Sequence, residues 1–93
     1  MGQESQIEKK AKAYARQHGC WVRKFKSPGN RAAPDSIFMS PTGVVFFIEF
    51  KAPGKKPTAA QLRELLLISK QGGNSHWVDS FENAKKVVSF YLK

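Results

Sequence analysis

Three side chains in this sequence have the types and spacing to handle a divalent cation and a phosphate: Asp35, Glu49 and Lys51. Asp35 follows Pro34, thirteen residues separate it from Glu49, and Lys51 lies two places beyond Glu49. On an extended chain that spacing points Glu49 and Lys51 to one face. Glu49 interrupts VVFFIEF (44–50), an otherwise apolar run that reads as a central strand buried on both faces. A lone carboxylate buried there is penalised by several kcal/mol, which a cation or a neighbouring lysine offsets. Two carboxylates, a backbone carbonyl and waters are the oxygen set that Mg²⁺ prefers. A lysine beside them can orient or deprotonate a water, or stabilise charge on a phosphate.

The two acids can meet only if a hairpin brings them together. Residues 35–40 and 44–50 read as its strands, joined through Ser40-Pro41-Thr42-Gly43. A three-residue loop, Pro41 to Gly43, suits this sequence. Proline fits the second position of a type I turn, and glycine the left-handed position that follows. That loop pairs Ser40 with Val44, and counting back sets Asp35 opposite Glu49. A two-residue loop would set Asp35 opposite Ile48 and turn the two acids to opposite faces.

Around the hairpin, residues 5–18 read as a helix, with Ile7, Ala11, Tyr14, Ala15 and His18 at helical spacing and Gly19 as its stop. Ser5 and Glu8 fit a capping box. Residues 20–26 read as a strand, and 27–34 (SPGNRAAP) as an ordered loop. Thr58 to Gln71 reads as a helix with a Thr58/Gln61 capping box and Leu62, Leu65, Leu66 and Ser69 at core spacing, ended by Gly72-Gly73. A short strand over 74–79 and a helix from Phe81 to Leu92, capped by Ser80, complete the chain. The order α-β-β-β-α-β-α predicts an α/β fold, a small mixed sheet flanked by helices. The 93 residues predict one domain, 1–93.

Sixteen Lys and Arg against seven Asp and Glu give a net charge of +9, which favours a polyanionic partner, most simply nucleic acid. Arg23, Lys24, Lys26, Arg31, Lys55 and Lys56 flank the acids in sequence and are the candidates for phosphate contacts. Lys9, Lys10, Lys12 and Arg16 read as the solvated face of the first helix. No apolar run approaches the roughly 18 residues of a membrane helix. The start, Met-Gly-Gln-Glu, lacks the apolar centre of a signal peptide. Cys20, the single cysteine, has no internal disulfide partner and reads as a small core residue. A cytoplasmic setting is therefore expected. His18 and His76 have no Cys or His partners at metal spacing and read as structural. Phe46, Phe47 and Phe50 read as core. Trp21, Phe25 and Trp77 could stack on bases, although packing is their commoner use.

The pattern P-D…E-x-K, with GNRAAPDSIF and then VVFFIEFKAPGKKPTAAQ, resembles the VRR-NUC family of the PD-(D/E)XK nuclease superfamily, in particular its small phage and bacterial stand-alone members. The likeness runs roughly from Glu8 to Ser80. It implies a minimal restriction-endonuclease-like core and a Mg²⁺- or Mn²⁺-dependent endonuclease of DNA. Asp35 and Glu49 match the family's metal-binding acids, with the backbone carbonyl of Phe50. Lys51 matches the catalytic lysine, and Gln61 the family glutamine. Glu8 matches an acid that can reach the metal, though it can equally be the capping-box partner of Ser5. The resemblance further implies a homodimer acting on branched DNA such as four-way (Holliday) junctions, without a small-molecule cofactor or a membrane. The chain departs from the family at Ala33, where a glycine is usual. The alternative is a non-catalytic DNA-binding module that keeps the fold. The paired acids count against it, because carboxylates without a metal repel phosphate.

Overall fold

The computed structural model describes residues 2–93. Its elements are α1 (Gln3–Gln17), β1 (Trp21–Lys24), β2 (Ser36–Met39), β3 (Val45–Phe50), α2 (Ala59–Lys70), β4 (Ser75–Val78) and α3 (Phe81–Tyr91). This is the α-β-β-β-α-β-α order that the sequence predicts.

The four strands form one sheet in the order β1-β2-β3-β4. β1 and β2, and β2 and β3, are antiparallel, whereas β3 and β4 are parallel. β3 is therefore interior, as its double-sided apolar run requires. The hairpin closes through the expected loop. The Ser40 N–H donates to the Val44 carbonyl at 2.9 Å, and the Gly43 N–H donates to the Ser40 carbonyl at 2.9 Å. Gly43 sits at φ +89°, which a side chain would resist. The Ser40 hydroxyl also accepts from the Val44 N–H at 3.0 Å, which fixes the turn from within.

One face of the sheet carries Val22, Phe38, Phe46, Ile48 and Phe50, which join Ile7, Ala11 and Ala15 of α1 and Ala84, Val88 and Tyr91 of α3 in a single core. The rings of Phe38, Phe46 and Tyr91 stack in sequence, with centroids 5.0 and 4.3 Å apart. Cys20 is buried in the same core.

Two readings of the sequence are corrected. First, α1 begins at Gln3 with Gly2 as its cap and no side-chain capping bond, so Ser5 and Glu8 form no capping box. Ser5 lies inside the first turn, and Glu8 pairs with Lys12 instead. Second, α2 buries only Leu65, while Leu62, Leu66 and Leu67 are exposed. α2 packs beside β4, where the Ser75 hydroxyl donates to the Leu65 carbonyl at 2.7 Å. The leucine stripe instead borders an open apolar groove of about 330 Å³ shared with His76 and Trp77.

Candidate metal and nucleic-acid site

The hairpin register runs Met39↔Val45, Phe38↔Phe46, Ile37↔Phe47, Ser36↔Ile48. One further step sets Asp35 across from Glu49, on the face away from the α1–α3 core. Because Ser40 and Val44 form a hydrogen-bonded pair, strict alternation makes Asp35 and Glu49 a non-hydrogen-bonded pair, the kind whose side chains stand closer. The paired register ends at Ser36, the chain bends at Asp35, and Pro34 just before the bend has no N–H to donate to a ladder. Pro34 is fully buried.

Glu49 is 6% exposed. Burial, and next the charge of Asp35, raise its carboxyl to about 7, while Lys51 pulls the other way. The Lys51 ammonium lies 3.9 Å from Glu49 Oε2. The Lys51 N–H donates to the Val78 carbonyl at 2.9 Å, so parallel pairing with β4 holds the lysine in register. The Asp35 carboxyl is likewise raised, by burial first and the Glu8 charge second, against a 3.1 Å bond from the Ser36 hydroxyl. Across the sheet, the Asp35 carbonyl accepts the Phe25 N–H at 2.8 Å.

Gln61 forms the expected capping box and also reaches Glu49. Its Oε1 accepts the Thr58 N–H at 2.9 Å, and its own N–H donates to the Thr58 hydroxyl at 3.1 Å, completing the capping box. Its Nε2 meanwhile donates to Glu49 Oε2 at 3.4 Å.

Glu8 faces Asp35 but is held by Lys12, at 2.6 Å one helical turn on. Lys12 is thus no solvated bystander: it is largely covered, and its charge lowers the Asp35 carboxyl. The sequence reading missed Glu4. Its charge raises both Asp35 and Glu49, as a lesser cause in each. The available signal was its spacing of four from Glu8, which puts both on one helix face.

The donor set suits a hard divalent cation: two adjacent carboxylates whose burial disfavours their charge, with the backbone carbonyl of Phe50 next in the chain. Among the described residues, no three His, Cys, Asp or Glu side chains are grouped closely enough to hold an ion by themselves.

The basic residues divide. Lys24, Lys26 and Arg31 border a cavity of about 620 Å³ that reaches Asp35. Arg23 turns elsewhere, with its guanidinium 4.8 Å from the Trp21 ring centroid and bonded to the Val22 carbonyl at 2.8 Å. Lys55 and Lys56 are exposed on the turn after β3, which is tied down where the Gly54 N–H donates to Asp79 Oδ2 at 3.1 Å. His76 bonds the Tyr91 hydroxyl at 2.6 Å, and His18 lies against Tyr14, both apart from the acids.

No protein-family model matches the sequence. The chain is 48% identical over 61 residues to p44 of Acyrthosiphon pisum secondary endosymbiont phage 1, a protein named as a nuclease. That match spans 66% of each chain, just short of two thirds of the relative's length. A solved structure described as a VRR_NUC domain superposes with a TM-score of 0.89 at 35% identity, over 98% of this chain and 99% of that one. A second, described as a VRR_NUC domain protein, gives 0.76 at 15% identity over 96% and 87%, a likeness of fold alone.

Proposed function

Since the chain belongs to the VRR-NUC family of the PD-(D/E)XK nuclease superfamily, we propose that it is a metal-dependent endonuclease that hydrolyses DNA phosphodiester bonds at Asp35, Glu49 and Lys51. The observation that carries this reading is partly buried Asp35 brought beside buried Glu49, with Lys51 next to it. A structural ion pair would need one acid, not two, with the charge of Asp35 raising the proton affinity of Glu49.

In this reading Asp35, Glu49 and the Phe50 carbonyl would hold Mg²⁺ or Mn²⁺, with the charge of Glu8 on α1 nearby. Such an ion, when bound, supplies charge to the scissile phosphate and a more acidic water. Lys51 orients the attacking water or stabilises charge developing on the phosphate. Gln61 holds Glu49 in place and keeps one N–H near the nucleophile's path. Lys24, Lys26, Arg31, Lys55 and Lys56 bind flanking phosphates.

The substrate is branched DNA, a four-way junction above all, cut by a homodimer. Support for the dimer comes from the exposed leucines of α2 and the groove beside them. A two-fold dimer would present two sites to a two-fold junction.

The test is cleavage of a labelled four-way junction beside linear duplex and single strand, with Mg²⁺, Mn²⁺ or EDTA. Metal-dependent cutting of the junction, absent in Glu49→Ala, is expected. Equal cutting of every substrate would remove the junction preference. Binding without cutting in either metal would leave the non-catalytic module as the better reading.

A further inference from the structure

The cavity beside Asp35 has the wrong lining for a phosphate alone. Its wall is mostly apolar, and half-buried Phe25 forms part of it. The Phe25 N–H bonds the Asp35 carbonyl, so the ring is the direct cross-strand neighbour of the acid on the same face. Phe47 packs against that ring, with centroids 5.3 Å apart and ring planes at 72°. Exposed Lys24, Lys26 and Arg31 surround it.

The loop over this cavity is built rather than slack. Asn30 N–H donates to the Ser27 carbonyl at 3.0 Å, and Gly29 sits at φ +80°, a type II turn with Pro28 at its second position. Asn30 Oδ1 accepts the Ala32 N–H at 2.9 Å. That bond fixes the side chain and leaves its NH₂ as the end able to donate to a base edge.

We propose that this cavity is a nucleoside pocket, taking one unstacked base of the nucleic-acid strand next to the scissile phosphate. The inference rests on the nuclease reading for its place beside the cut. A cavity of about 620 Å³ lies in the range of small-ligand sites. An aromatic wall with surrounding cations is the usual way a single strand is held, with stacking for the base and charge for the backbone. A paired duplex would have to release a base to fill the pocket, whereas a junction or an unpaired strand offers one already. The pocket thereby gives a physical source for structure selectivity.

The test uses the full chain and single-stranded oligonucleotides carrying one 2-aminopurine, in EDTA so that nothing is cut. Saturating protein should change the fluorescence at one position far more than at its neighbours. An abasic site at that position should weaken binding about fivefold to tenfold. Phe25→Leu, which keeps apolar bulk against Phe47, should abolish both effects, and Phe25→Tyr should restore them. If Phe25→Leu does not fold, the abasic comparison on the unaltered chain decides alone. Equal affinity for abasic and intact strands at every position, with no fluorescence change, would overturn the pocket. Cleavage of a labelled four-way junction with Mg²⁺ or Mn²⁺ separates the two readings. Cutting without a base signal sinks the pocket only, and a base signal without cutting sinks the nuclease and leaves the pocket standing.

Discussion

Gln61 caps its own helix with one end of its amide and reaches Glu49 with the other, Oε1 taking the Thr58 N–H at 2.9 Å while Nε2 lies 3.4 Å from Glu49 Oε2. Only a primary amide offers an acceptor and donors together at that length. The site is therefore coupled to the first turn of α2.

Two substitutions separate those duties. Gln61→Glu keeps an acceptor for Thr58 but sets a carboxylate against Glu49, whereas Gln61→Ala removes both contacts. Gln61→Glu should stay near the parent in melting temperature yet lose at least about tenfold in kcat/KM at neutral pH, a barrier change of about 1.4 kcal/mol. Gln61→Ala should melt lower, by roughly 1 kcal/mol of stability. If Gln61→Glu cleaves DNA as well as the parent, the contact with Glu49 is incidental.

Glu49 makes the metal-free protein sensitive to pH in a defined direction. Its carboxyl titrates at about 7 in the fold against 4.5 in the open chain. Between those values the native state binds more protons than the unfolded state, so stability falls as pH rises and levels off above about 7. The displacement corresponds to about 3 kcal/mol, and Asp35 shifts in the same direction. Thermal melts in EDTA should thus be higher at about pH 5.5 than at about pH 8, the reverse of an ordinary ion-paired carboxylate. Glu49→Gln should flatten the profile, and Mg²⁺ should raise the melting temperature more at the higher pH. A profile that rises with pH would contradict the placement of this carboxylate.

Cleavage and binding should part company at the acids. Asp35→Asn and Lys51→Ala should each lower cleavage by about 10²–10⁴-fold, the usual worth of a group acting on a proton in flight. Both should fold and retain DNA affinity. In EDTA, Asp35→Asn should bind slightly more tightly, because a carboxylate that repels phosphate has gone. Loss of folding in either variant would make the residue structural.

Salt dependence should distinguish the basic residues. Lys26→Ala and Arg31→Ala should each reduce the slope of log K against log salt by about 0.7–0.9, one phosphate contact apiece. Arg23→Ala should leave the slope unchanged, since its guanidinium is occupied by Trp21 and the Val22 carbonyl. Equal slopes for Arg23→Ala and Arg31→Ala would mean that the cavity is not where DNA lies.

The hairpin was legible in the sequence because strand parity leaves two choices, and the Pro-Thr-Gly loop selects one. The strand VVFFIEF was legible because only an interior strand tolerates apolar residues on both faces. The start of α1 was not: Ser5 and Glu8 have capping-box spacing, but Gly2 already serves as the cap and the pattern is too short to say so. Glu4 escaped notice for the same reason, since placing the helix start two residues late leaves it outside the helix. The leucines of α2 show a third limit. Helical spacing reports that side chains share a face, not what covers it, and here the fold itself covers little of that face.

Pro34 has a further consequence. A β-ladder normally ends because a strand runs out; here β2 begins at Ser36 after a bend at Asp35, and buried Pro34 just before it has no N–H with which to add a further rung. Pro34→Ala would supply that rung. The sheet could then knit one pair further and tie up the Phe50 oxygen, giving a more regular protein and weaker binding of the proposed Mg²⁺ or Mn²⁺. The proline thus works as a stop placed where the sheet's own hydrogen bonding would otherwise outcompete the chemistry.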